Sequence, residues 1–398
     1  MLKVDLIIPF FFKKKFYHIN RISLNRWRPD WLRIKNNKNQ IKEKGIKIRF
    51  LNYLNLDYSK LSNIVTVDYR ILSNLGIYNA NVKSPNHLII AFLKKLRKFA
   101  DYIILFDNKD SADIQFEVLP YVDKYLKKNL YKDRSLYLKV LYGYRIHADY
   151  YARNYNLDKY SFFEPGSYSN YIRNVNIDNE KEHEKQIKLY KDNEKKIYLS
   201  WNLAFSDYRE QSILKNPFFL YFSKKNIINY YRPSSSRRIQ LSGNFKFDYE
   251  TELISFQRKK MLKFLIEHYR SNPCVSLGGV PKKEYLKILR SSKAIVSPFG
   301  WGEVCYRDFE AFIAGAALIK PDMDHLDTWP NLYKMNKTYM PLSWKIEDWK
   351  SEFDNILSDE KNLLEVAQNG QEEYKKLWTK EGNEEFCERF IKLVSPNS

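Results

Sequence analysis

The stretch SPFGWGEVCYRDFEAFIAGAALIKPDMDHLDTWP, residues 297–330, sets bare backbone, a cation and carboxylates between an apolar run and a helical one. Gly300 and Gly302 carry no side chain, so the amides around Trp301 can approach a phosphate closely. A helix beginning near Glu303 would aim the positive end of its dipole at the same point. Arg307, one turn into that helix, is placed to clamp a diphosphate in bidentate fashion. Glu310 falls on the same helical side as Arg307 and Glu303, and a carboxylate there can accept hydrogen bonds from two ribose hydroxyls. Gly315 is predicted to end the helix, and AALIKPD to return as a strand. The loop that follows holds Asp322, Asp324, His325 and Trp329, of which Asp322 and His325 are candidates to line a sugar or acceptor pocket. The plainer alternative is a tight turn, with Arg307 paired to Asp308 or Glu303 and His325 structural or solvated. No GxxxxGK[ST] occurs, and GWGEVC lacks the third glycine of GxGxxG, so kinase and dehydrogenase chemistries lose support.

Such a site needs a parallel sheet whose carboxyl ends present loops and helix N-termini together. The sequence supplies the strands as short apolar runs: VDLIIPF at 4–10, IKIRFLNYL at 46–54, IVTVDY at 64–69 and DYIILFD at 101–107. Beyond a polar stretch at about 170–195 come KIYLSW at 196–201, RIQLSG at 238–243, CVSLGG at 274–279, KAIVSPFG at 293–300, AALIKPD at 316–322 and TYMPLSW at 338–344. Helical patterns at 87–100, 255–270, 281–292 and 303–315 separate many of them. The expectation is therefore an α/β protein of two doubly wound, Rossmann-like domains facing a cleft. An N-terminal acceptor-side domain would span 1–190 and a C-terminal donor-binding domain 191–380. A last helix in 381–398 would pack back on the first domain, so that the C-terminal helices strap the halves.

Length and composition agree with two domains. At 398 residues the chain exceeds one ordinary core, and its 44% hydrophobic content argues against global disorder. Lys and Arg number 68 against 47 acidic residues, a formal charge of +21 that favours anionic partners: phosphate-bearing substrates, acidic lipid or nucleic acid. The cations Lys13, Lys14, Lys15, Arg21, Arg26 and Arg28, set among Trp27 and Trp31, suit an anionic membrane surface or acceptor, or else a solvated face over core aromatics. The three cysteines, Cys274, Cys305 and Cys387, form no CxxC, and no apolar run has the length of a membrane span. The apolar block of the N-terminus precedes its charges, unlike an ordinary signal peptide. A cytoplasmic setting is expected.

The run from KAIVSPFG through FEAFIAGAALIKPD resembles the donor half of GT-B-fold glycosyltransferases, closest to glycosyltransferase family 1-like and exostosin-like sequences. The likeness covers roughly 235–380, including the helical finish, whereas the first half matches only in its α/β pattern. It implies that Glu310 holds the ribose of a nucleoside-diphosphate sugar, and that Gly300, Trp301 and Gly302 face the donor phosphates and sugar. It also implies transfer to a glycan or glycolipid acceptor, as in capsule or lipopolysaccharide synthesis, by an enzyme peripheral to the inner face of a membrane. Retaining members carry two glutamates eight positions apart. Eight back from Glu310 is Gly302, so Glu303 stands one place out of register and the stereochemical outcome stays open.

Transfer from a nucleotide sugar needs stabilisation of the departing diphosphate. With no metal or other cofactor required, cations and helix ends do this. Beyond Arg307, the candidates are Arg258 with Lys259, and the backbone at Ser242, Gly243 and Asn244 after RIQLSG. Their alternatives are a solvated charge run and a simple turn. An inverting route also needs a base on the acceptor side. Asp110 is the first choice and Asp107 the second, both following DYIILFD, although aspartates after a strand also serve turns. The DNKD run admits a metal-holding GT-A reading, which the donor-half likeness disfavours. The rival from another class is a non-catalytic basic Rossmann-like module that binds nucleic acid or an anionic membrane.

Overall fold

In the computed structural model, which describes residues 1–8, 29–74, 85–157, 180–206, 208, 228–249 and 252–396, the apolar runs form two parallel sheets. The first comprises β1 (Leu2–Ile8), β2 (Ile46–Asn52), β3 (Ile64–Asp68), β4 (Tyr102–Asp107), β5 (Lys124–Lys127) and β7 (Ile197–Leu199), in the order β2-β1-β3-β4-β5-β7. The second comprises β8 (Ile239–Gly243), β9 (Val275–Leu277), β10 (Ser292–Val296), β11 (Ala317–Pro321) and β13 (Met340–Leu342), in the order β13-β11-β10-β8-β9. Counted from its own first strand, the first sheet runs 2-1-3-4-5-6 and the second 2-1-3-4-5, the doubly wound order whose direction reverses beside the first strand. The switch points lie between β1 and β3 and between β8 and β10.

Period-two alternation distributes the strand side chains between cores. Ile103 and Leu105 of β4 join a core that continues into the second half through Ile295, Phe309 and Leu318. Ile104 and Phe106 face the other way, onto Trp31, Trp201 and the C-terminal helix Lys380–Val394, which docks through Phe386, Phe390 and Val394. In the second half Ala294 and Val296 pack against helix Glu252–Tyr269, with Trp349 and Phe353 from helix Trp349–Ser358.

The strand at 197–199, read from sequence as opening the second domain, pairs with β5 and so completes the first sheet, because Tyr125↔Ile197 and Lys127↔Leu199 are in parallel register. The first unit thus extends past residue 190. The halves are also stitched by an antiparallel pair, β6 (Asn129–Tyr131) with β12 (Leu326–Thr328), inside what read as a bare loop. The basic, aromatic stretch holding Lys13 to Arg28, and part of the polar segment near 170–195, lie outside the described residues. No helix among the described residues is long and apolar enough to cross a membrane.

Candidate active site

The helix of the 297–330 stretch starts at Tyr306, three residues later than the sequence pattern places it, because Asp308 caps it. Asp308 Oδ2 accepts the Cys305 amide at 2.9 Å and the Tyr333 hydroxyl at 2.7 Å, while Oδ1 takes Ser297 Oγ at 2.6 Å and the Lys320 ammonium at 3.2 Å. Asp308 and Lys320 are both fully buried, so the pair fixes the loop after β10 to the start of helix Tyr306–Ala314. Gly315 ends that helix in the left-handed region at φ 66°, as a C-terminal glycine does.

Glu303 is therefore a loop residue, not a member of the helical face that carries Arg307 and Glu310. Its carboxylate turns to the interface between the halves, where Oε1 lies 3.2 Å from His147 Nδ1 and 3.5 Å from His325 Nε2. His147 comes from helix Ile146–Asn154 and packs at a tilt against Phe299, with ring centroids 5.1 Å apart. Burial pushes the Glu303 carboxyl upward, but the two histidines outweigh it and hold it well below the ordinary carboxylate range. Burial is the larger influence on His147 and lowers its pKa, which favours the neutral imidazole beside an ionised carboxylate. Glu303 Oε2 is buried without a hydrogen-bond partner.

The glycine loop closes the halves together. The Gly300 amide donates to the Gly302 carbonyl at 2.9 Å, so it is spent inside the loop and not held out to a phosphate. Arg145 Nε donates to the Trp301 carbonyl at 2.8 Å. Arg258 is not on a solvated face: it is buried, and its guanidinium binds the carbonyls of Phe299 at 2.5 Å, Lys246 at 2.7 Å and Pro298 at 3.3 Å. Burial lowers its pKa. Its donors hold loop backbone.

The open space lies on the other side of Arg307. A cavity of about 940 Å³, the size that small-molecule sites take, sits outside the carboxyl ends of β8 and β9 beside the β8/β10 switch point. Its walls include Asn244, Lys246, Tyr249, Lys282, Tyr285 and Arg307. Asn244 is fixed by its own bonds, accepting Ser242 Oγ at 2.9 Å and donating to the Gly278 carbonyl at 2.9 Å. Gly243 serves packing: a Cβ there would lie 2.7 Å from Leu277 Cδ2 and 2.8 Å from Leu265 Cδ1. Arg307 lies 5.7 Å from the Phe245 ring centroid, and its Nε is buried without a partner. Burial works against its charge, but Tyr285 and Glu310 outweigh that and raise its pKa. It is not paired to Asp308 or Glu303. Glu310 reaches the cavity wall through Tyr285, whose hydroxyl donates to Oε2 at 2.6 Å.

Of the two acceptor-side aspartates, Asp107 is fully enclosed. Lys127 Nζ at 2.8 Å and the Tyr125 hydroxyl at 2.5 Å both bind its Oδ2, and the Lys109 amide binds Oδ1 at 3.0 Å. It is a structural group with no face for an acceptor. Asp110 is 37% exposed and lies at the interface against Gly302, with Lys128 at 3.6 Å and Arg70 at 3.7 Å. Asp322 holds a turn, accepting the Asp324 amide at 2.9 Å and the Tyr339 hydroxyl at 3.2 Å, and only His325 of that loop joins the Glu303 cluster. Sequence reasoning missed His147, Tyr285, Lys246 and Lys282. Nothing in the spacing links His147 to a residue 156 positions away.

No protein-family model and no curated protein matches the chain. Among solved structures it is similar to HepE of Anabaena in complex with UDP-glucose, with TM-score 0.42, 6% identity, and coverage of 98% of this chain and 100% of that one. Sucrose-phosphate synthase from Thermosynechococcus elongatus gives TM-score 0.41 and 11% identity over 98% of each chain. TarM gives TM-score 0.39 and 9% identity, covering 84% of this chain, which spans about half (54%) of the TarM chain.

Proposed function

We propose that the protein is a glycosyltransferase of the GT-B type that uses a nucleoside-diphosphate sugar. The observation that carries this reading is the cationic, aromatic cavity at the second sheet's switch point, with the unpartnered Nε of Arg307 in its wall. Arg307, Lys246 and Lys282 would meet the diphosphate charge without a metal, and Phe247 and Tyr249 would cover the base. The Glu310–Tyr285 pair would hold the ribose, and Glu303 Oε2 a hydroxyl of the donor sugar. In an inverting route, Asp110 takes the proton of the acceptor hydroxyl as its oxygen bonds the anomeric carbon. The bond from that carbon to the diphosphate oxygen breaks, and its electron pair leaves with the diphosphate. The acceptor would be a glycan or glycolipid of the cell surface. The net charge of +21 supports attachment to an anionic inner membrane face. Incubation with a panel of uridine-, guanosine- and thymidine-diphosphate sugars should release nucleoside diphosphate from at least one, and Asp110→Asn should suppress that release. Absence of turnover and of nucleotide binding across the whole panel would overturn the reading.

A further inference from the structure

A second cluster of groups lies at the carboxyl edge of the first sheet, and the fold itself does not use all of them. Asn108 is fully buried, yet neither its amide oxygen nor its amide nitrogen has a hydrogen-bond partner, and Asn129 Oδ1 is likewise buried and unpartnered. Folded proteins seldom leave such atoms unpaired, since each forgoes its bonds to water. Both residues adjoin Asp110: Asn129 Nδ2 donates to the Asp110 carbonyl at 3.3 Å, and Arg70 binds both the Asn108 carbonyl and the Asp110 carboxylate. Each cation of the cluster faces more than one carboxylate. Arg70 lies 2.5 Å from Asp30 and 3.7 Å from Asp110, and Lys128 lies 2.9 Å and 3.6 Å from the same two carboxylates. An anion entering here would face Asp30, Asp110 and the buried Asp68 beside Arg70, with no cation in excess among the described residues.

The second half supplies the opposite wall. Trp301 and Tyr306 are 46% and 44% exposed, large aromatics left at the surface beside the point where Gly302 touches Asp110. Tyr306 senses the cluster directly: desolvation of its phenol, then the Asp30 carboxylate and, less strongly, Asp110, push its pKa up to about 12. Its neighbour Arg307 lines the donor cavity, so consecutive positions of one helix serve the two places. Unpaired amides, cations already met by carboxylates and exposed aromatic faces are what an uncharged sugar ring requires. Its hydroxyls both donate and accept, and its C–H faces pack on aromatic rings.

We propose that Asn108, Asp110, Lys128 and Asn129, with Trp301 and Tyr306 across the interface, form a binding site for an uncharged hexose. That this hexose is the acceptor rests on the glycosyltransferase reading, whereas its binding does not.

Saturation-transfer NMR with the methyl glycosides of glucose, galactose, mannose and N-acetylglucosamine, against glucose 6-phosphate, tests this on the full chain. At least one neutral glycoside should receive saturation from the wild type in preference to the phosphate. Asn108→Ala should lose that signal with no fall in melting temperature, because the amide makes no bond within the fold. Asp110→Asn, which removes the partly exposed carboxylate that faces Arg70 and Lys128, should shift preference toward glucose 6-phosphate. Silence from every neutral glycoside, a wild type that prefers the phosphate, or an unchanged signal in Asn108→Ala would overturn the proposal. Uridine diphosphate and guanosine diphosphate binding followed in the same samples separates the two readings: nucleotide binding without glycoside binding sinks this site alone, and glycoside binding without nucleotide binding sinks the donor site alone.

Discussion

Gly302 of the second half rests on the backbone of Asp110 of the first, so closely that a Cβ at position 302 would lie 1.9 Å from the Asp110 carbonyl oxygen and 3.1 Å from its Cβ. The glycine is needed there for contact between the halves. The obstacle it would otherwise meet is backbone, which cannot swing aside as a flexible side chain can. Gly302→Ala should therefore separate the two halves locally or strain the loop, at a cost of about 1–3 kcal/mol in the manner of overpacking. A melting temperature equal to wild type would show that the contact is dispensable.

Asp107 and Asp110 are three residues apart and make opposite predictions. Asp107→Asn breaks a fully buried pair with Lys127 and should destabilise by about 3–5 kcal/mol. Asp110→Asn loosens only long contacts, at 3.6 and 3.7 Å, of a carboxylate that is itself partly exposed and leaves both cations bound to Asp30, so it should change stability by less than about 1 kcal/mol while suppressing transfer. Denaturant unfolding read beside activity distinguishes them, and a stable Asp107→Asn would contradict the assignment.

Asp308 anchors the donor loop through four partners: Ser297, Cys305, Lys320 and Tyr333. Replacing it with alanine leaves the buried Lys320 without its carboxylate and the helix uncapped, so a loss of about 3–5 kcal/mol is expected. Chemical denaturation measures this directly.

The Glu303 cluster makes the fold acid-sensitive with a defined sign. His147 titrates below its ordinary 6.5 in the folded chain, so as pH falls below 6.5 the unfolded chain takes the proton first and stability is lost. The Glu303 carboxyl is held well below its ordinary 4.5, so its contribution is present above 4.5 and is lost as pH falls further. Melting temperature should decline from about pH 6.5 downward, and His147→Gln should flatten the upper part of that decline. A wild-type curve flat from pH 7 to 5 would contradict this.

Much of the architecture was legible because parallel strands buried on both faces announce themselves as apolar runs; IVTVD at 64–68 and YIILFD at 102–107 are examples. KYLK at 124–127 was not, since its lysines are buried by partners distant in sequence, Lys127 by Asp107 and Lys124 by carbonyls of the last helix. Short pairs such as β6 with β12 depend on where the two halves meet, which no local pattern encodes. At the site, Arg307 and Glu310 could be read from one helix. The role of Glu303 could not, because an Asp308 cap moved the helix start and handed Glu303 to histidines from two other segments.

The central claim is that the cavity beside Arg307 binds a nucleoside diphosphate. Isothermal titration calorimetry of uridine diphosphate and guanosine diphosphate into the metal-free protein tests it most directly. One of them should bind, Arg307→Ala should weaken it by about 1.5–3 kcal/mol, roughly ten- to hundredfold, as loss of a charged hydrogen bond does, and Asp110→Asn should bind as wild type does. Heats of dilution alone for both nucleotides, or binding that Arg307→Ala leaves unchanged, would contradict it.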